Sequence, residues 1–155
     1  MEIIPLTKDG HEALKKELEQ LKNVERPSVI SAIATARAHG DLRENAEYHA
    51  ARERQSFVEG RIAELEDKLS RSEVVSFNDN KPSNIRFGAW VTLEDEQGKT
   101  KKYRLVGELE ADIRKNKISV SSPLGRALLG KEENDSVEIA APGGTKEYQV
   151  VSVEY

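Results

Sequence analysis

Apolar residues recur at intervals of three and four from Thr7 to about Val75, the period of a helix with one buried face. Leu14, Leu18 and Leu21 set the first stripe, and Val29, Ile33 and Ala36 resume it one residue out of phase. Pro27 lies between the two, which predicts a kink or local unwinding there. Tyr48, Ala51, Gln55, Val58, Ile62, Leu65 and Leu69 then alternate threes and fours without a break, a heptad seam. The reversal at His39 to Leu42 is short, so the two helical arms must pair antiparallel. Arms of roughly 30 residues would reach about 45 Å, so the hairpin is expected to project a tip. Alanines at 32, 34, 36, 38, 46, 50 and 51 make that end slender, though alanine's helix propensity alone explains most of them.

Beyond Ser76 the period changes. Residues 77–84, Phe-Asn-Asp-Asn-Lys-Pro-Ser-Asn, fit neither pattern and read as a linker. Strands are predicted from Ile85 to Leu93, Lys102 to Val106 and Lys117 to Val120, with a final hairpin, Ser136–Ala140 and Glu147–Val153, turning at Pro142-Gly143-Gly144. Ser122 and Pro123 open a short helix that Gly130 ends. The expected fold is α+β: an antiparallel helical hairpin over 1–76, the linker 77–84, and a small sheet domain with one short helix over 85–155.

Composition narrows the function classes. The 155 residues carry a net charge of −4. Lysine plus arginine against aspartate plus glutamate is 12 against 15 through Val75, net −3, and 12 against 13 beyond it, net −1. Neither half is a basic domain that coats nucleic acid by neutralising phosphates. There is no cysteine, hence no disulfide and no thiolate metal site, and a reducing cytoplasmic setting is expected. No segment is long and apolar enough to span a bilayer, so no membrane partner is expected.

The candidate chemistry sits at the reversal, where Asp41 and Glu44 stand three residues apart before the second helix. On a helix that spacing sets the two carboxylates about 60° apart around the axis, and such a pair can share one hard cation. The same spacing is a capping box, Asp41 accepting from early backbone N–H groups while Glu44 reaches back to the cap. Both readings stand, and they are compatible. Gly40 suits the left-handed residue that closes the first helix. Glu47 fits a helix-dipole role, and His39 and His49 match no zinc spacing.

Gly-Asp-Leu-Arg-Glu-Asn-Ala-Glu-Tyr-His-Ala at 40–50 resembles the tip motif of the bacterial Gre-type transcript cleavage factors. Ser-Pro-Leu-Gly-Arg-Ala-Leu-Leu-Gly-Lys at 122–131 and Pro-Gly-Gly at 142–144 resemble their second domain. The acidic balance is similar to the GreA branch rather than the GreB branch, whose hairpin carries a larger basic patch. The resemblance implies a coiled coil that enters the secondary channel of RNA polymerase and an FKBP-like C-terminal domain that docks on its rim. It implies a monomer that assists rather than performs hydrolysis: the polymerase cleaves backtracked RNA, whose 3′ end is extruded into the channel. The family's general attributes come with it: transcription elongation, DNA binding, RNA polymerase binding and a cytoplasmic location.

Carried over residue by residue, Asp41 and Glu44 match the acidic pair that would hold a Mg²⁺ shared with the polymerase, catalytic only in trans. Arg37 and Arg52, one on each arm, are candidate contacts for RNA phosphates, against a solvated, ion-paired surface. Tyr48 lies on the seam and reads as core. Ser121, Ser122 and Pro123 match the polymerase-docking edge. The alternatives are a channel-entering modulator or inhibitor that does not promote cleavage, and an isomerase suggested only by the second domain. Few aromatics are present to line a proline pocket, and a shared fold does not carry activity.

Overall fold

The computed structural model describes residues 2–77 and 80–155. The chain divides into two compact units, residues 1–3 with 11–72 and residues 4–10 with 73–155. Residues 4–10 and 73–77 thus count with the second unit, and Asn78 and Asp79 of the expected linker lie outside the described residues. The fold class is α+β, a helical hairpin plus a curled sheet. Among the described residues, no helix is long and apolar enough to cross a membrane.

The hairpin's first arm is α1 (Lys8–Gln20), a π-helical turn (Leu21–Glu25) and α2 (Arg26–Arg37). Its second arm is one unbroken helix, α3 (Ala46–Ser70). The irregularity expected near Pro27 is this π turn, in which the Arg26 N–H reaches the Leu21 carbonyl five residues back. Proline has no N–H to offer the previous turn, so the ladder widens just before it. The extra residue accounts for the phase slip between Leu21 and Val29. Leu21, Val29 and Ile33 pack against Ala51, Val58, Ile62 and Leu65, with Leu14, Leu18 and Tyr48 at the edges, so both predicted stripes meet in one seam.

Ion pairs flank the seam and fix its register. Arg61 forks onto Glu17 at 2.7 and 2.9 Å, Arg26 onto Glu59 at 2.7 and 2.8 Å, Lys22 meets Glu66 at 3.2 Å, and Arg54 pairs with Glu25. Each joins one arm to the other, and a slip of one turn would break all four. The bond from Arg26 holds the Glu59 carboxyl below the ordinary range. The hydrogen bonds Arg61 donates to Glu17 push its guanidinium higher still.

β1 (Ile4–Leu6) pairs with β2 (Ser72–Val74), a small sheet that the periodicity did not predict. The main sheet holds β3 (Trp90–Glu94), β4 (Thr100–Val106), β5 (Lys117–Ser119), β6 (Ser136–Ala141) and β7 (Gly144–Glu154), in spatial order β5-β4-β3-β7-β6. Within this sheet, among the described residues, only β4 and β5 run parallel. Ile85–Ala89, expected as strand, instead approaches in irregular backbone, with Ile85 exchanging bonds with Gly130 and Lys131. Thr92 pairs with Ser152 but Leu93 with Val150, so Val151 is bulged out of register and the sheet curls there. Its inner face carries Val91, Leu93, Leu105, Val137 and Val150, closed by Ile85, Ala89 and Leu128 of the short helix α4 (Pro123–Leu128).

Candidate functional site

Between α2 and α3 the chain turns through Ala38–Asn45. Gly40 adopts φ +115° with open space around it, the backbone that ends the first arm as expected. Helix α3 does not start at Asp41. Its cap is Asn45, whose side-chain carbonyl accepts the Tyr48 N–H at 3.1 Å. The Asn45 amide donates across the turn to the Ala36 carbonyl at 2.8 Å, so one side chain closes the end of α2 and opens α3.

The capping box drawn at Asp41 and Glu44 is therefore not formed, because Asn45 occupies the cap and leaves both acids in the loop before the helix. Asp41 turns its carboxylate onto its own loop, Oδ1 accepting the Arg43 N–H at 3.0 Å. Glu44 makes no hydrogen bond or ion pair among the described residues, and both acids are exposed. With His39, Asn45, Ala46 and Glu47 they line one shallow, open depression. Among the described residues, no group of three or more histidine, cysteine, aspartate or glutamate side chains is placed to hold a metal.

Arg37, in the last turn of α2, lies over the Tyr48 ring at 5.9 Å. Arg52 is exposed on α3. Neither has an ion-pair partner among the described residues, unlike Arg54, which is bound to Glu25. Tyr48 is half-buried against the seam, and His49 beside it meets its ring edge-on at 5.6 Å. The sequence reading missed Asn45 as the cap. Its signal was an asparagine three residues before Tyr48, hidden behind the better-known acidic spacing.

The second unit brings Ser121, Ser122 and Pro123 together at the start of α4. Ser122 caps it, accepting the Gly125 N–H at 3.0 Å and donating to the Ser119 carbonyl at 2.6 Å. Ser121 is exposed and donates to Glu108 Oε1 at 3.0 Å. An apolar groove runs alongside, lined by Ile113, Ile118, Pro123, Leu124 and Ile139. Ile113 is 86% exposed, and only its isolation among charged neighbours marked it in the sequence.

A family profile described as "Transcription elongation factor, N-terminal" matches residues 4–74, and one described as "Transcription elongation factor, GreA/GreB, C-term" matches residues 80–155. A curated relative named transcription elongation factor GreA, from Hyphomonas neptunium, is 57% identical over 160 residues, covering 100% of this chain and 99% of its own. One of the same name from Xanthomonas axonopodis pv. citri is 58% identical over 153 residues, 97% of each. Among solved structures, that of the Nitrosomonas europaea elongation factor GreA/GreB aligns at 25% identity and TM-score 0.45, over 98% of this chain and 99% of that one. Spanning both profiles and the near-full length of these relatives, the chain belongs to the GreA/GreB family of transcription elongation factors.

Proposed function

We propose that this chain stimulates RNA polymerase to hydrolyse backtracked RNA by bringing Asp41 and Glu44 to the polymerase active site. The observation that carries this reading is two exposed carboxylates in one loop at the turn of a narrow helical hairpin, with no protein cation spent on them among the described residues. A structural pair of acids would be occupied by a cap or by an arginine. Here one Asp41 oxygen takes a backbone N–H, and its other oxygen and the Glu44 carboxylate remain as acceptors.

The donor set fits Mg²⁺, which takes hard oxygen ligands, keeps several waters and needs only one or two carboxylates from a given partner. When bound, the ion supplies Lewis-acid stabilisation of the phosphodiester and a more acidic attacking water. Asp41 and Glu44 would hold and orient it, while Arg37 and Arg52 would neutralise phosphates of the extruded RNA. Two carboxylates are a partial ligand shell, so the polymerase supplies the rest and the isolated chain cleaves nothing. Hydrolysis belongs to the polymerase, and the chain acts in its cytoplasmic transcription complex. Ser121, Ser122 and Pro123, with the groove beside them, provide the docking edge on the channel rim.

The test adds the purified chain to a stalled, backtracked polymerase and follows shortening of 5′-labelled RNA. Asp41→Asn and Glu44→Gln are each expected to cut stimulation at least 100-fold while polymerase binding persists, within the ~10²–10⁴ that a lost catalytic electrostatic group typically costs. Normal cleavage by both variants would remove the metal role, whereas no stimulation by the wild-type chain itself would leave a channel-entering modulator.

A further inference from the structure

We propose that His49 is a positioning residue that, through the main chain of Arg43, holds Asp41 and Glu44 in one arrangement. This rests on the assignment of those acids above. Asp41, Leu42, Arg43 and Glu44 are all exposed, so no burial pins them. What pins them is hydrogen bonding at Arg43. Its N–H is bound by Asp41 Oδ1 at 3.0 Å, and its carbonyl meets His49 Nε2 at 3.1 Å. That carbonyl belongs to the peptide leading directly into Glu44, so tying it sets the direction in which the Glu44 side chain leaves the loop. One residue's two backbone groups thereby couple the two acids.

The anchor is rigid. A carbonyl only accepts, so Nε2 must carry the proton, as it does in the imidazolium and in one neutral tautomer. The ring stands in the first turn of α3, edge-on to half-buried Tyr48, which packs on the seam and lies under the Arg37 guanidinium. Order runs from the seam through Tyr48 and His49 to the Arg43 carbonyl and then to the acids. Supporting shells of this kind typically change metal affinity about 10- to 100-fold when removed.

The test uses the full chain with His49→Phe, which keeps the ring and loses the donor, and His49→Gln, whose amide can donate at similar reach. On backtracked polymerase, His49→Phe is expected to raise the Mg²⁺ concentration for half-maximal cleavage about tenfold. Polymerase affinity should stay unchanged and His49→Gln should restore the wild-type value. In the isolated chain, ¹⁵N relaxation should show Arg43 and Glu44 amides gaining fast motion in His49→Phe and losing it in His49→Gln.

The proposal is overturned if His49→Phe keeps the wild-type Mg²⁺ dependence, if only its polymerase affinity falls, or if glutamine restores nothing. Asp41→Asn is run in parallel. If that variant is inactive while His49→Phe titrates normally, the tie fails and the acid pair stands. If Asp41→Asn cleaves normally, the acid assignment fails first and this proposal falls with it.

Discussion

Asn45 does at one residue what a loop of several would otherwise need. Its amide nitrogen gives a second bond to the Ala36 carbonyl at the end of α2, which also accepts the His39 N–H, and its oxygen satisfies an orphan N–H at the start of α3. Asn45→Ala removes both bonds, and loss of an asparagine cap alone typically costs about 0.5–2 kcal/mol. The expected loss is therefore about 2 kcal/mol of hairpin stability, read as a lower urea midpoint with unchanged slope by far-UV circular dichroism. Asn45→Asp should recover the cap to Tyr48 but not the bond to Ala36, and so fall between. The place of Asp41 and Glu44 at the reversal was legible from the sequence, but the capping box their spacing suggested is not what forms. The Asn45 bridge and the His49 tie were not legible, since each depends on where a backbone group of another turn comes to rest.

Elements followed the sequence wherever one period ran long enough to average out local accidents. The α3 seam and the final hairpin of the sheet are in register with the apolar pattern, and Ser122 caps α4 as its sequence suggests. Short or interrupted elements did not follow it. The pair β1 and β2 holds three residues per strand, too few for an alternation to register, and its strands are far apart in the chain. Near Pro27 the pattern located a break without specifying that the ladder would widen into a π turn. In β7 the bulge leaves Val151 42% exposed beside buried Val150, the same in-and-out result a strict alternation gives, so the apolar pattern conceals it. The start of α4 carries a consequence of the same kind. A Cβ on Gly125 would stand 2.1 Å from the Ser119 carbonyl oxygen, a backbone atom that cannot swing aside. Gly125→Ala must push the 119–122 turn away from the helix, at about 1–3 kcal/mol for such overpacking. It should lower the thermal midpoint of the sheet unit. If the Ser121 to Pro123 edge docks on polymerase, the variant should also weaken binding, measured by competition, more than Ser121→Ala does.

At the scale of the whole molecule, two separate cores carry opposite pH sensitivities. Hydrogen bonds from Arg26 lower the Glu59 carboxyl, and those from Lys68 and then Arg61 lower Glu64, both from an ordinary 4.5. A depressed carboxyl contributes stability that is complete above the unfolded value and is lost as pH falls through the folded one. The hairpin should therefore weaken below about pH 4.5, and less steeply at high salt, where exposed ion pairs contribute little at any pH. The sheet unit is set the other way. Burial raises the Tyr155 phenol above its ordinary 10.0, while its oxygen accepts the Arg86 N–H at 2.8 Å and donates to the Asn84 carbonyl at 2.6 Å. A raised phenol contributes stability that is complete below pH 10 and is lost as pH climbs through the folded value, when the proton given to Asn84 leaves. Tyr155→Phe should cost about 1 kcal/mol at neutral pH for the lost pair of bonds, and its difference from wild type should shrink above pH 10. Trp90, the single tryptophan, lies in β3 and reports the sheet by fluorescence, whereas ellipticity is dominated by the hairpin. Acid should therefore move ellipticity before fluorescence, and a Tyr155→Phe difference that persists undiminished in alkali would show that the phenol stays protonated there and overturn the alkaline half of this prediction.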